Sequence, residues 1–132
     1  MEEVRFYCCN RCGNIVTMMR DTGAPLCCCG RPMEQLCPNS SGASPVVHKP
    51  VITVKNGVFC VEVGAQPHPM LPEHFIQWIY VQTKEGGQFK WLCPGDRPQA
   101  AFSFCGDRPV AVYAFCNLHG LWMTRDGECL KD

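Results

Sequence analysis

Twelve cysteines among 132 residues constrain this chain more than any other feature. Such a density is held together either by disulfides or by metal ions, and the two belong to different compartments. The opening residues Met1-Glu2-Glu3-Val4-Arg5-Phe6 contain no apolar run that would read as a signal peptide. No stretch of about eighteen apolar residues reads as a membrane span. A cytoplasmic location with reduced thiols is therefore expected, and clustered cysteines there mean metal or redox chemistry. Basic and acidic residues balance at 12 each with no Lys/Arg-rich block, so neither nucleic acid nor a membrane is an expected partner.

The tract Pro38-Asn39-Ser40-Ser41-Gly42-Ala43-Ser44-Pro45 reads as a linker. It divides a small module at 1–37 from a larger one at 38–132. A unit of under about 40 residues seldom folds on apolar burial alone, so the first needs a staple. In the second, Val51-Ile52-Thr53-Val54 and Phe59-Cys60-Val61-Glu62-Val63 flank Asn56-Gly57, the signature of a tight hairpin. Further β-rich runs at 75–82, 88–93, 100–105 and 110–115 are separated by turns such as Glu85-Gly86-Gly87 and Pro94-Gly95. Short strands at this spacing predict a mainly β chain whose second part is a sandwich.

Cys9-Asn10-Arg11-Cys12-Gly13 is a Cys-x-x-Cys loop, and Cys28-Cys29-Gly30 supplies a second pair. Four thiolates make a tetrahedral site that suits iron or zinc, of which only iron would carry an electron. Cys8 and Cys27 adjoin these pairs and are assigned to packing. Cys37, Cys60, Cys93, Cys105 and Cys129 read as packing or surface thiols, Cys60 and Cys105 within strand runs.

All four histidines fall in the second part, in settings that suit ligands: Val47-His48-Lys49-Pro50, Pro67-His68-Pro69-Met70, Glu73-His74-Phe75 and Cys116-Asn117-Leu118-His119-Gly120. A cysteine and a histidine three apart in a tight turn can share one metal, and two prolines bracket His68 in a stiff loop. Four neutral imidazoles and one thiolate would give a ferrous ion five ligands, a net charge of about +1, and a sixth position for a small molecule. Zinc rarely takes five such ligands.

These strings resemble desulfoferrodoxin, the two-iron class of superoxide reductase. The resemblance runs through Phe6-Tyr7-Cys8-Cys9-Asn10-Arg11-Cys12-Gly13-Asn14-Ile15-Val16, Cys28-Cys29-Gly30-Arg31-Pro32-Met33, His68-Pro69-Met70, His74-Phe75-Ile76-Gln77-Trp78-Ile79 and Cys116-Asn117-Leu118-His119-Gly120-Leu121-Trp122. It implies a desulforedoxin-like module followed by an immunoglobulin-like β-sandwich. In the module, iron, with zinc as the alternative, would be held by Cys9, Cys12, Cys28 and Cys29. In the sandwich, a mononuclear iron would have His48, His68, His74 and His119 around it and Cys116 on its axis. The activity implied is one-electron reduction of superoxide to hydrogen peroxide, with an electron donor such as rubredoxin and a homodimeric state. The other reading is an electron-transfer protein with weak superoxide turnover.

One departure stands out. The family usually has Glu-Lys immediately before the first ligand histidine, where this chain has Val46 and Val47. Lys49 follows the histidine and is the candidate catalytic cation. In an extended segment, however, successive side chains point to opposite faces, so Lys49 would not simply replace a lysine at Val47. A distortion before Pro50 would change that.

Overall fold

The computed structural model describes residues 3–125 and 130–131. The chain divides into two units, Met1–Cys37 and Pro38–Asp132. In the first, β1 (Phe6–Cys8) lies between β2 (Ile15–Thr17) and β5 (Glu34–Gln35). A separate hairpin joins β3 (Cys27–Cys28) to β4 (Arg31–Pro32). Strands of two or three residues bury little. Phe6 and Cys9 are the buried apolar side chains among the described residues of this unit.

The second unit is a sandwich of two four-stranded sheets. A single helical turn, α1 (Pro45–His48), leads into β6 (Pro50–Lys55) and β7 (Val58–Val63). These pair as the expected hairpin, Asn56 and Gly57 both taking left-handed φ values of 50° and 77° at its turn. The strands β8 (Ile76–Thr83), β9 (Gly87–Trp91), β10 (Gln99–Phe102), β11 (Pro109–Cys116), β12 (Gly120–Arg125) and β13 (Leu130–Lys131) complete it. One sheet runs β10-β7-β6-β13 and the other β12-β11-β8-β9. Alternation decides which side chains meet between them: Phe59, Val61 and Val63 from one sheet, Ile79, Val81, Val112, Ala114 and Cys116 from the other. Cys116 thus ends a core strand and is itself wholly buried.

Four local expectations change. The strand β12 is absent from the runs expected from sequence, because Leu121 and Trp122 follow directly on the Cys116–His119 string. The supposed linker is tied down at its start: Asn39 donates its N–H to the Leu121 carbonyl at 2.9 Å and exchanges two side-chain bonds with Met123 along the β12 edge. Residues 45–48 are helical, not extended, closed by the Lys49 N–H donating to Pro45 O at 2.8 Å. Cys105 lies beyond the end of β10, not in a strand, and is a surface thiol; Cys27 is exposed and is not the packing residue expected. Cys60 is half-buried in β7, and Cys129 lies outside the described residues.

Candidate metal centres

In the first unit the four cysteines expected to act together do converge. One donor atom from each of Cys9, Cys12, Cys28 and Cys29 lies within 4.8 Å of all the others. The first pair sits in the β1–β2 connection, folded back by the Cys9 N–H donating to Asn14 O at 2.9 Å and the Gly13 N–H to Cys9 O at 2.9 Å. The second pair is at the β3–β4 turn, where Cys29 adopts a left-handed φ of 54° so that two adjacent thiols serve one point. Cys12 Sγ and Cys28 Sγ are 3.6 Å apart. The backbone N–H groups of Cys12 and Arg11 pull the Cys9 thiol down to about 6, whereas crowding by neighbouring thiols, Cys12 first, pushes Cys29 up to about 12. Such a cluster holds one thiolate readily and resists further anions until a cation replaces the protons. Cys8, half-buried on β1, and Cys27 stand outside this group.

The second centre lies at one end of the sandwich. His48 closes α1, His68 stands in the loop after β7, His74 precedes β8, and Cys116 and His119 flank the β11–β12 turn. Residues 117–119 form that turn, Cys116 pairing with Gly120 across it. The motif that suggested a metal is thus also the motif that makes the hairpin. A register shift between Phe115 and Cys116 places Cys116 opposite Ile76, at the end of β8 next to the loop carrying His74.

The four imidazoles form a square. Ring centroids follow at 4.7 Å (His48–His68), 4.7 Å (His68–His74), 5.1 Å (His74–His119) and 4.8 Å (His119–His48), with a His48–His74 diagonal of 6.5 Å. Adjacent rings are steeply inclined, by 70° to 83°. Donor atoms of His48, His68, His74 and Cys116 lie within 4.8 Å of one another. His119 Nδ1 completes the set, 3.1 Å from His48 Nε2 and 3.7 Å from Cys116 Sγ.

Main-chain carbonyls choose which nitrogen faces inward. His48 Nδ1 bonds Ser44 O and His68 Nδ1 bonds Pro69 O, both at 2.7 Å, leaving each Nε2 for the centre. His68 Nε2 and His74 Nε2 are buried without a hydrogen-bond partner. A pair of orphaned lone pairs in one spot is costly unless a cation accepts them. Burial holds His68 at about 4 and lowers His48, so both are neutral ligands near neutrality; burial also raises the Cys116 thiol, which becomes a thiolate when a cation balances it. Four neutral nitrogens and one soft anion fit a divalent transition metal.

Sequence reading missed the supports. The Trp122 indole stacks on His48 at 4.9 Å and 20°, and its Nε1–H donates to His119 O at 3.2 Å. Asn117 accepts the Phe75 N–H at 2.9 Å and donates to Glu73 O at 3.0 Å, gripping the segment on both sides of His74. Both residues stand in the quoted string, which was the available signal. Gly64 gave none. A Cβ there would sit 2.7 Å from Val46 O and 2.9 Å from Val47 C, against the backbone of the turn that carries His48. Gly64→Ala is expected to lower stability by about 1–3 kcal/mol and to reduce metal at the histidine centre while the four-thiol site stays loaded. Thermal melts and metal stoichiometry check this.

A sandwich gathering four imidazoles and a thiolate at one end, preceded by a four-thiol module, defines a protein with two metal sites of non-haem type. The chain belongs to the desulfoferrodoxin family: residues 40–125 match the desulfoferrodoxin family pattern and residues 1–36 that of the desulfoferrodoxin N-terminal domain. It is 41% identical to the desulfoferrodoxin of Syntrophotalea carbinolica over 123 residues, 93% of this chain and 97% of that one. It is 39% identical to the desulfoferrodoxin homolog of Methanothermobacter thermautotrophicus, over 92% of this chain and 98% of that one. Its structure is similar to the crystal structure of the superoxide reductase from Treponema pallidum, with a TM-score of 0.80 and 30% identity, covering 94% of this chain and all of that one.

Proposed function

We propose that this chain is a superoxide reductase, with residues 38–132 as the catalytic unit and residues 1–37 as a separate four-thiolate module. The observation that carries the reading is the square of four imidazoles joined by one buried cysteine, with two orphaned nitrogens aimed into it. Iron held by His48, His68, His74, His119 and Cys116 would supply the single electron. Cys9, Cys12, Cys28 and Cys29 would hold a second iron. The reaction takes one superoxide, one electron and two protons to one hydrogen peroxide, and a small electron carrier of the rubredoxin type would restore the electron.

The residues of the chain do the rest. Neutral imidazoles add no charge and Cys116 adds one negative, so a divalent ion leaves the centre at about +1, attractive to an anion. The carbonyls of Ser44 and Pro69 and the Trp122 ring hold the imidazoles in place and keep water from their backs. The loops around the centre present Val46, Leu71 and Leu118 outward, 47%, 53% and 59% exposed. Val46 and Val47 bring neither a charge nor a proton. Anion capture would therefore rest mainly on the metal's own charge, with Lys49, next to His48 in the chain, as the candidate cation, and protons would come from water.

Val47→Lys is expected to raise the second-order rate with superoxide by about three- to tenfold at low ionic strength, an advantage that shrinks with salt. Lys49→Gln should lower the rate less. Pulse radiolysis of the reduced protein across pH and salt checks both. A parent protein that already reacts at the diffusion limit, independent of pH, would contradict the role given to the two valines. Iron analysis and a thiolate-to-iron absorption band that bleaches on reduction test the metal itself. A homodimer in a reducing cytoplasm completes the proposal. Among the described residues no helix is long and apolar enough to cross a membrane.

A further inference from the structure

The side chain of Asn14, outside the nine proposed ligands, touches a sulfur. Asn14 is tied to both cysteine pairs at once: its carbonyl accepts the Cys9 N–H at 2.9 Å, and its Nδ2 donates to Cys28 Sγ at 3.8 Å. The two pairs are otherwise supplied unequally. Cys9 Sγ receives backbone N–H groups from Cys12, at 3.5 Å, and from Arg11. Among the described residues, the N–H donor recorded on the second pair is the Asn14 amide. Cys12 and Cys29 are exposed and Cys28 is half-buried, so the donor acts at the outer edge of the centre.

We propose that Asn14 sets the reduction potential of the four-thiolate centre by holding an amide N–H on Cys28. The inference rests on the reading that this centre carries iron. A ferric ion with four thiolates bears about one negative charge and its ferrous form about two. An N–H dipole aimed at a sulfur stabilises the more negative form, so it favours reduction and raises the potential. An aspartate at the same position keeps the shape, removes the donor and adds a negative charge. Both changes disfavour reduction. The Asn14 main-chain bond to Cys9 survives either substitution.

The test is a redox titration of the full-length iron-loaded protein, followed through its visible absorption, for the parent and for Asn14→Leu, Asn14→Asp and Asn14→Gln. Asn14→Leu is expected to lower the ratio of reduced to oxidised centre at a fixed potential by about threefold. Asn14→Asp should lower it by about tenfold or more, corresponding to a fall of about 59 mV in midpoint. Asn14→Gln, which keeps the amide, should recover part of the loss, and the histidine centre's midpoint should not move. Should Asn14→Leu load iron poorly, the Asp and Gln variants decide. Iron-loaded Asn14→Asp with the parent midpoint would overturn the proposal alone. Metal analysis finding only zinc at the four thiolates would overturn the iron reading and the proposal with it.

Discussion

Cys116→Ser is expected to reduce the superoxide reaction by at least about 100-fold while leaving the sandwich folded. Cys116 would supply the single anionic donor of the second centre, from a fully buried position at the end of a core strand. Its thiol is pushed up by burial, so its negative charge exists there only in company with a cation. A thiolate there would donate electron density to a bound iron and favour loss of its electron; a serine hydroxyl, nearly the same size, stays protonated and would not. The exchange removes little packing, so it separates chemistry from stability. The variant should keep most of its iron on four imidazoles and lose its thiolate-to-iron absorption. Pulse radiolysis of the reduced variant gives the rate, and a rate equal to the parent's would remove Cys116 from the mechanism.

The second large effect concerns the first unit. Replacing Cys9 and Cys28 together by serine should unfold residues 3–37 and leave residues 38–125 as they are. With Phe6 and Cys9 as its buried apolar side chains among the described residues, this unit has almost no core. Its longest strands have three residues. Metal binding in comparable thiolate modules contributes about 10–16 kcal/mol, and that free energy is folding free energy. Each pair supplies two of the four thiols, so losing one from each leaves neither pair able to grip an ion. Hydrogen exchange should show the amides of Tyr7, Val16 and Leu36 losing protection, while those of Val61, Ile79 and Val112 keep it. Undiminished protection at Tyr7 and Val16 would mean the unit folds without its metal.

The residues that converge at the two centres were more legible in the sequence than their surroundings. Cys9, Cys12, Cys28 and Cys29 were legible because adjacent or Cys-x-x-Cys thiols in a chain this short have few other uses. The histidines were legible as a set, each beside a proline, an acid or a turn rather than inside an apolar strand. Asn56-Gly57 disclosed its hairpin because those residues tolerate the left-handed backbone that a two-residue turn demands. Other features depend on atoms that side-chain identity does not carry. The carbonyls of Ser44 and Pro69 that orient two rings belong to the main chain, and Gly64 matters only because the α1 backbone lies against it. The α1 turn went unread because Val46 and Val47 are β-branched and favour strands, whereas Pro45 at its start and packing against Gly64 settle it as helix. That turn also removes the simple alternation by which Lys49 was expected to face away from the position of Val47.

The histidine–cysteine centre is expected to reduce superoxide and not to dismutate it. Product stoichiometry decides this most directly: reduced protein is mixed anaerobically with a known amount of superoxide below one equivalent of centre, and hydrogen peroxide and dioxygen are both measured. Reduction at the centre gives one hydrogen peroxide per superoxide, one centre oxidised each time, and no dioxygen. Half as much hydrogen peroxide, with an equal amount of dioxygen and the centre still reduced, would contradict the account.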